Sequence, residues 1–281
     1  MSLSLRDELR VVLLPDQVLL VRIGRKFTLQ GLRYRVLEKI SLPCAAVAGD
    51  DAIWSEAINT LEKQLPDLAR GTAFAKVILS NHFMHYAMVP WSEVLSNEQE
   101  EMAFARHCFS QIYGAAAETW ELRLSQDSAG APQLASAVDI RLLEALRAMF
   151  ARAKVELKSV QPYLMAAYNN CRNNLHKQDA WFVLFEAGNL CIALLQQGRC
   201  RSVRTLKVGS DWRNTLPLIL EREAYLADLD TATNQVFLWA PEHREAALPE
   251  SGRWKINVLR PMVRPSFVAE YDGRYAMAMS A

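Results

Sequence analysis

The sequence predicts a mixed α/β fold in which two similar lobes, each with a mixed sheet, follow one another along the chain. Three strand-like segments and a helix open the chain, at Leu9–Leu14, Gln17–Ile23, Leu32–Leu42 and Asp51–Ala69. A second group of three strands and a helix lies between Trp181 and Asp228. Strands grouped with helices of this length indicate sheets covered by helices. No repeat is visible residue by residue, so the duplication rests on the order of elements.

The first helix is predicted because apolar residues recur at alternating spacings of four and three, which forms one apolar stripe. The stripe consists of Trp54, Ile58, Leu61, Leu65 and Leu68. Lys76–Trp91 is predicted as one strand that ends at Pro90. Ser96 and Gln99 have the spacing of a capping box, so the next helix is expected to begin there and to end near Gly114.

The middle of the chain continues with a strand, a loop and a helix. Thr119–Leu124 is a short strand, and Ser125–Gln133 (SQDSAGAPQ) is the clearest loop of the sequence. Asp139–Ala153 is a helix with a core face, formed by Leu142, Leu143, Leu146, Met149 and Phe150. Val155–Val160 returns as a strand that stops before Pro162, and Leu164–Leu175 is predicted as a helix.

The second half repeats this plan. Its predicted elements are strands Trp181–Phe185, Leu190–Gln196 and Ser202–Val208, helix Trp212–Asp228, strands Gln235–Trp239 and Lys255–Leu259, and a closing helix Pro265–Ala281. Three antiparallel strands, a helix, a strand and a further helix, occurring twice, are typical of a two-lobed ribonuclease-H-like fold. We assign residues 1–160 to the first lobe and residues 161–281 to the second, with the closing helix able to pack on the first lobe.

Composition excludes several classes of protein. A formal charge of +1 in 281 residues, without a long basic run, gives no reason to expect a nucleic-acid partner. Asp7 and Glu8 stand where a signal peptide needs an apolar core. The longest nearly apolar segment, Ala180–Gly198, contains Glu186 and turn residues, and it therefore predicts buried strands rather than a membrane span. We expect a cytoplasmic protein with no direct membrane span.

The five cysteines are expected to be reduced thiols. They show no CxxC spacing. If Gln197-Gly198 is a hairpin turn, Cys200 lies opposite Leu195 and Cys191 lies opposite Arg204, so these two thiols are badly placed for a disulfide.

The segment Phe185–Asp211 resembles the phosphate-binding hairpin of actin-like ATPases of the PilM type, which are components of the inner-membrane platform of type IV pili. The matching residues are Phe185-Glu186-Ala187-Gly188, Gln197-Gly198-Arg199 and Val208-Gly209-Ser210-Asp211. Val160–Ala167 is similar to the segment that precedes this hairpin in the family, and Gly273–Ala281 is similar to its C-terminal helix. Val77–Trp91 looks closer to the GspL-type subunits of type II secretion, which share the fold. The resemblance implies an actin-like ATPase fold, a duplicated ribonuclease-H-like architecture.

The resemblance also implies an ATP–magnesium site, but this chain departs from it at three turns. Actin-like ATPases bind phosphates with backbone amides of glycine-containing turns and need an acid near the metal. The first turn is Leu14-Pro15-Asp16-Gln17, where Asp16 supplies the acid but Pro15 has no amide hydrogen. In the second turn Glu186 replaces the usual aspartate, and Gly188-Asn189 lacks the hydroxyl. Trp239-Ala240-Pro241 replaces the glycine pair that meets the adenosine.

These departures predict a fold that has lost nucleotide turnover, with no catalytic residue, no metal site and no required cofactor. If ATP and Mg²⁺ are bound after all, Asp16, Glu186, Gly188 and Asn189 are the residues expected to contact them. Glu186 has two interpretations, an acid that holds a magnesium-bound water and, as the favoured one, a solvated acid at a tight turn. Ser210 and Asp211 are expected to cap the following helix rather than to bind phosphate.

The function implied by the resemblance is that of a non-catalytic scaffold in a type IV pilus or type II secretion-like platform. Its expected partner is a cytoplasmic segment of an inner-membrane assembly protein, with an assembly ATPase as a second candidate partner. Such a partner would hold this cytoplasmic protein at the inner membrane. Two alternatives remain open, a working Mg-ATP-binding protein of the same fold and an unrelated α/β enzyme whose site is dispersed in sequence.

Other reactive side chains are expected to be structural. His82 and His85 are three apart on a predicted strand and so point to opposite faces. His107 and Cys108 are adjacent on a helix and diverge. Arg199, Arg201 and Arg204 are expected to form a solvated edge, the first two on one face and the third on the other.

Overall fold

The computed structural model describes residues 3–29, 31–47, 51–95, 97–125, 130–186, 188–227, 233–243 and 252–280. The strands are β1 Leu3–Leu13, β2 Gln17–Thr28, β3 Gly31–Pro43, β4 Thr72–Leu79, β5 Met84–Val89, β6 Trp120–Leu124, β7 Gln133–Asp139, β8 Glu156–Pro162, β9 Ala180–Glu186, β10 Asn189–Gln196, β11 Arg199–Lys207, β12 Gln235–Trp239 and β13 Lys255–Val258. The helices are α1 Ser55–Leu68, α2 Glu98–Tyr113, α3 Ile140–Arg152, α4 Tyr163–Asn170, α5 Arg172–Leu175, α6 Trp212–Leu226 and α7 Ala276–Met279.

Two five-stranded sheets share one topology. The first has the order β3-β2-β1-β4-β8 and the second has the order β11-β10-β9-β12-β13. In each sheet the first three strands of this order are antiparallel neighbours. The last two strands run parallel to the third, which is β1 in the first sheet and β9 in the second. The two sheets therefore confirm the predicted duplication and the mixed sheets, although the sequence halves share no visible repeat.

The chain forms two compact units. Unit 1 consists of residues 1–84, 139–170 and 261–281, and unit 2 consists of residues 85–138 and 171–260. The predicted lobes 1–160 and 161–281 are continuous, whereas these units are not. The difference arises because residues 85–138 group with the second five-stranded sheet, while residues 261–281 return to the first. The boundary at residue 160 falls within β8, the last strand of the first sheet.

Unit 1 is built around the first sheet and helices α1 and α3. The predicted stripe of α1 is buried at Ile58, Leu61, Leu65 and Leu68. The predicted core face of α3 is buried throughout, and the Asp139 carboxylate caps this helix by accepting a hydrogen bond from the Arg141 amide at 2.9 Å. Apolar periodicity was sufficient to predict both helices because each presents one face to the sheet.

Unit 2 contains the second five-stranded sheet and a smaller sheet of order β5-β7-β6. Helix α6 covers one face of the larger sheet and buries Trp212, Leu216 and Leu220 against the alternate residues of β9 and β10. Helix α2 covers the smaller sheet through Ala105 and Phe109. In both cases the helix packs on every second residue of a strand, because successive side chains point to opposite faces of the sheet.

The predicted single strand Lys76–Trp91 is wrong, because the chain bends at Ser80. β4 ends at Leu79, and a 3-10 turn over Asn81–Phe83 leads into β5. The Ser80 hydroxyl accepts a hydrogen bond from the His82 amide at 3.1 Å and so stabilises the turn. β4 pairs with β1 and β8, whereas β5 belongs to the three-stranded sheet.

Strand β7 was not predicted from the sequence. Three of its seven residues are serine or alanine, QLASAVD, and these residue types have no strong preference for strands. The predicted N-cap Ser96 lies outside the described residues. Asn97 caps α2 instead, since its side-chain oxygen accepts from the Glu100 amide at 3.0 Å. Its amide nitrogen donates to the Glu100 carboxylate at 2.8 Å, which completes the cap.

The predicted closing helix Pro265–Ala281 is also wrong. Residues Pro265–Glu270 and Gly273–Tyr275 form two 3-10 segments, and only Ala276–Met279 is α-helical. Asp272 interrupts the helix because its carboxylate accepts a hydrogen bond from the Arg274 amide at 3.0 Å. A similar break at Cys171 divides the predicted helix Leu164–Leu175 into α4 and α5.

A β-bulge changes one predicted pairing of the second hairpin. Cys200 lies opposite Leu195 as predicted, but the register shifts between Leu194 and Leu195, so Cys191 lies opposite Thr205 rather than Arg204. All five cysteines are free thiols. Burial raises the pKa of Cys171 to about 12, so this thiol stays protonated at neutral pH.

Candidate functional site

The first turn, between β1 and β2, belongs to unit 1 and offers few amide donors. Pro15 has no amide hydrogen, and the Leu14 amide donates to the Gln17 carbonyl at 3.0 Å. Asp16 is exposed, and its carbonyl accepts from the Cys44 amide at 2.8 Å. The backbone of this turn is therefore engaged in closing the hairpin.

The second turn, between β9 and β10, belongs to unit 2 and contains the three other predicted contact residues. Gly188 has a φ of +78°, and a Cβ atom at this position would meet no atom within 4 Å. Its carbonyl accepts from the Val208 amide at 3.0 Å. Glycine is the residue that adopts this backbone conformation without strain, so the turn keeps an open approach to its main chain. Ala187 lies outside the described residues.

Glu186 and Asn189 are paired across this hairpin and are both buried, at 5% exposure. The favoured interpretation of Glu186 as a solvated acid is therefore wrong. The Asn189 Oδ1 atom has no hydrogen-bond partner among the described residues. The negative charge of Glu186 also raises the pKa of Cys191, after the larger effect of burial. A carboxylate that is 5% exposed is largely shielded from the solvent through which a hydrated Mg²⁺ would approach it.

The third turn follows β12 and is filled by an indole ring. Trp239 is completely buried and lies beside Leu184 in the sheet. Its Nε1 atom has no acceptor within the part of the chain that the structure describes. Ala240 and Pro241 are buried as well, and the His243 amide donates to the Ala240 carbonyl at 2.9 Å. A large ring and a proline occupy the positions where the resemblance implies two glycines.

The entry to α6 carries a negative charge. Asp211 is the N-cap residue, as predicted, but its side chain makes no capping hydrogen bond. Its Oδ1 atom lies 3.0 Å from the position that a Cβ atom of Gly209 would take. A carboxylate at a helix N-terminus is stabilised by the helix dipole, and it repels a second anion at the same place.

Three side chains, Phe185, Trp212 and His243, form a cluster of rings beside the β9–β10 turn, and this cluster was not predicted from the sequence. Phe185 stacks on Trp212 with ring centroids 4.2 Å apart, and His243 meets Phe185 edge-on at 5.1 Å. Burial, and then the charge of Arg213, lower the pKa of His243. The signal was a phenylalanine near the end of β9 together with a tryptophan at the first position of α6, but their contact depends on the tertiary packing.

The remaining candidates are structural. His85 stacks on Trp120 at 3.7 Å, and burial lowers its pKa, while His82 belongs to the preceding 3-10 turn. Arg199, Arg201 and Arg204 are exposed on β11, the edge strand of the second sheet, and Arg204 also forms an ion pair with the buried Glu223 of α6 at 3.1 Å. Among the described residues, no three histidine, cysteine or acidic side chains could hold a metal ion.

The residues at the three turns do not fit an ATP–magnesium complex. At the first turn Pro15 has no amide hydrogen and the Leu14 amide is hydrogen-bonded, the acid of the second turn is buried, and a buried Trp239 begins the third. Only the backbone of Gly188 keeps the geometry that a phosphate needs. In the part of the chain that is described, none of the helices is both long and apolar enough to cross a membrane.

Three solved structures have similar folds. The first is a PilM–PilN type IV pilus biogenesis complex, with a TM-score of 0.67 and 13% identity over 96% of both chains. The second is the cytoplasmic domain of EpsL, an inner membrane component of the type II secretion system of Vibrio cholerae, with a TM-score of 0.54 and 12% identity over 90% of both chains. The third is a Bacteroides thetaiotaomicron protein with an actin-like ATPase fold and unknown function, with a TM-score of 0.50 and 9% identity over 83% of this chain and 81% of that chain.

No protein-family model matches the chain, and no curated protein matches it in sequence. Identities of 9–13% carry information about the fold alone. The matching order of strands in both five-stranded sheets agrees with these comparisons. The chain therefore has the actin-like ATPase fold, and its structural neighbours include the PilM–PilN complex and the cytoplasmic domain of EpsL.

Proposed function

We propose that this protein is a non-catalytic actin-like scaffold of a type IV pilus or type II secretion-like platform. The similarity to the PilM–PilN complex over 96% of both chains carries the proposal. The poor fit of the three turns to ATP and Mg²⁺ supports the non-catalytic part. The protein acts in the cytoplasm, at the inner membrane, by binding a cytoplasmic segment of a membrane assembly protein. The actin-like fold argues against the alternative of an unrelated α/β enzyme.

The three-stranded sheet of unit 2 offers an apolar surface for such a segment. Trp91 is 40% exposed and Val94 is 85% exposed, directly after the end of β5. Trp91 lines a small depression whose walls include Val89 and Leu124. Extended peptides bind to exposed sheet edges through main-chain hydrogen bonds and place alternate side chains in neighbouring pockets. We propose that the partner segment contacts Trp91.

The first test measures binding of synthetic peptides from the cytoplasmic segments of the platform's membrane subunits, by isothermal titration calorimetry. We expect one peptide to bind saturably, and we expect Trp91→Ala to weaken it roughly tenfold or more, because exposed tryptophans at interfaces are frequent hot spots. Tyr225→Ala is the matched control, since Tyr225 is exposed on α6, away from the three-stranded sheet. Failure of every peptide to bind would overturn the scaffold proposal.

A second candidate function is ATP binding. One observation favours it, the positive φ of Gly188 and the open space beside its main chain. Under the scaffold proposal, calorimetric titration with Mg-ATP and Mg-ADP is expected to give no saturable heat at millimolar nucleotide. Saturable binding would support the second candidate. In that case Glu186→Ala should abolish it, whereas Tyr225→Ala should leave it unchanged.

A further inference from the structure

The hairpin of β2 and β3 concentrates positive charge. Residues 17–37 contain five of the 32 basic side chains and none of the 31 acidic ones, which leaves the rest of the chain with a formal charge of −4. The five are Arg22, Arg25, Lys26, Arg33 and Arg35. A nearly neutral protein therefore carries its excess of positive charge in one hairpin.

Three of these cations share one face of the hairpin. Lys26 lies directly opposite Arg33, and Gly24 lies opposite Arg35. Residues two apart on a strand point to the same side, so Lys26, Arg33 and Arg35 are together, and all three are exposed. Exposed cations on one face of a hairpin attract an anionic surface.

Large apolar side chains lie at the tip of the same hairpin. Phe27 is 55% exposed, and Leu29, which follows β2, is fully exposed. Phe27 lies opposite Leu32 on the face that also carries Arg25. The Arg25 guanidinium lies 5.0 Å from the Phe74 ring centroid, and the Lys158 ammonium lies 4.3 Å from it. Positive charge is therefore present on both faces behind an apolar tip.

Two acidic side chains lie near the inner end of the hairpin. Asp7 and Glu38 both lie beside Arg22, whose Nε atom is 3.7 Å from the Asp7 carboxylate and 3.9 Å from that of Glu38. Arg22 pairs with Glu38 in the register, four residues before Lys26. Both acids thus lie toward the inner end of the hairpin, whereas the exposed Phe27 and Leu29 lie at its tip.

We propose that the tip of the β2–β3 hairpin docks on an anionic lipid bilayer. Phe27 and Leu29 would enter the boundary between headgroups and acyl chains, while the exposed Lys26, Arg33 and Arg35 contact the lipid phosphates. A nucleic acid would also attract the cations, but it has no apolar layer in which an exposed leucine is buried. This inference does not depend on the scaffold function, since it concerns lipid alone.

The test is flotation of the full chain with vesicles of phosphatidylcholine alone or mixed in equal parts with phosphatidylglycerol. We expect binding to the mixed vesicles only, and we expect added salt to weaken it. Lys26→Ala with Arg33→Ala should lower the partition coefficient by roughly 30-fold, about fivefold for each cation. Phe27→Ser with Leu29→Ser should lower it by about tenfold or more, because the apolar contribution is lost.

The matched control is Lys63→Ala with Arg147→Ala, which removes the same charge from exposed positions of α1 and α3 in the same unit. Binding of this control should equal that of the parent chain. The proposal is overturned if the mixed vesicles do not bind, or if both pairs of alanine variants lose binding equally. It is also overturned if a thymidine oligonucleotide competes fully with the vesicles and the serine variant binds as the parent does. Thermal melting of each variant verifies that it is folded.

Discussion

Replacing Glu8 by alanine is expected to lower the free energy of unfolding by about 3–5 kcal/mol, because it leaves a buried arginine without its counter-charge. Glu8 and Arg10 are both buried in β1. The Arg10 Nε atom donates to the Glu8 carboxylate at 2.8 Å, and the Lys76 ammonium lies 3.3 Å from the same oxygen. Removal of the carboxylate leaves Arg10 and Lys76 to repel each other without a negative charge between them.

Arg10 also links β1 to the C-terminal segment. Its Nη1 atom donates to the Ala278 carbonyl at 3.0 Å and to the Ser280 carbonyl. Buried carbonyls that lose a charged donor are costly. Without the Glu8 carboxylate to orient it, the Arg10 side chain is expected to shift away from these carbonyls. Residues 276–280 should then loosen, and hydrogen exchange of the α7 amides should become faster.

The effect of Glu8 should depend on pH. Burial alone raises the pKa of Glu8, but the charges and hydrogen bonds of Arg10 and Lys76 outweigh it and lower the pKa below its usual 4.5. A carboxylate with a lowered pKa in the folded state stabilises the fold at pH values above 4.5, and its contribution is lost as the pH falls through the lowered value. The difference between parent and Glu8→Ala should shrink only at acidic pH.

Urea unfolding followed by circular dichroism measures the loss. The matched control is Glu62→Ala, which removes the exposed partner of Arg152 and should cost less than about 1 kcal/mol. Glu8→Gln should fall between the two, because the amide still accepts one hydrogen bond. A loss for Glu8→Ala no larger than that of the control would contradict the role assigned to the buried pair.

Trp212→Ala is expected to destabilise unit 2 by about 3–5 kcal/mol, through lost burial and the cavity that remains. Trp212 is 2% exposed, stacks on Phe185 and contacts the core between α6 and the second sheet. Phe185 precedes Glu186, so the turn at Gly188 should become more mobile as well. Urea unfolding gives the loss, and the exchange rate of the Asn189 amide reports on the turn.

Tyr225→Ala provides the comparison within the same helix. Tyr225 is 86% exposed, so its removal should change the free energy of unfolding by no more than about 0.5 kcal/mol. Trp212→Ala and Tyr225→Ala could instead lower the free energy of unfolding equally. That result would show that the stacked rings of Phe185 and Trp212 do not stabilise unit 2.

Local patterns predicted much of the fold. β12 was predicted with its observed bounds, and α1 and α3 to within a few residues, since periodicity and turn residues act over short stretches of chain. The turn of the first hairpin was predicted correctly, but β1 begins six residues before the predicted start and β2 ends five residues after the predicted end. Prediction failed where the signal was weak or where a side chain interrupted an element. β7 has few residues with a preference for strands, and Ser80 and Asp272 end elements through single hydrogen bonds.

Some features of the candidate site could likewise be predicted from the sequence, and others could not. Pro15, Gly188 and Trp239 could be interpreted from the sequence, because a missing amide, a left-handed turn and a large ring are properties of the residue type. The burial of Glu186 and the stacking of Phe185 on Trp212 could not, because each depends on which face of the sheet is covered.

The sequence by itself determined most of the order of the strands and helices, the duplicated plan and the departures at the three turns, since these follow from local backbone preferences and side-chain type. Only the tertiary structure decided how residues 85–138 and 261–281 group, which charges are buried and which cations share a face of the β2–β3 hairpin. Those properties depend on contacts between residues far apart in the chain, and on a strand register that a single bulge shifts by one residue.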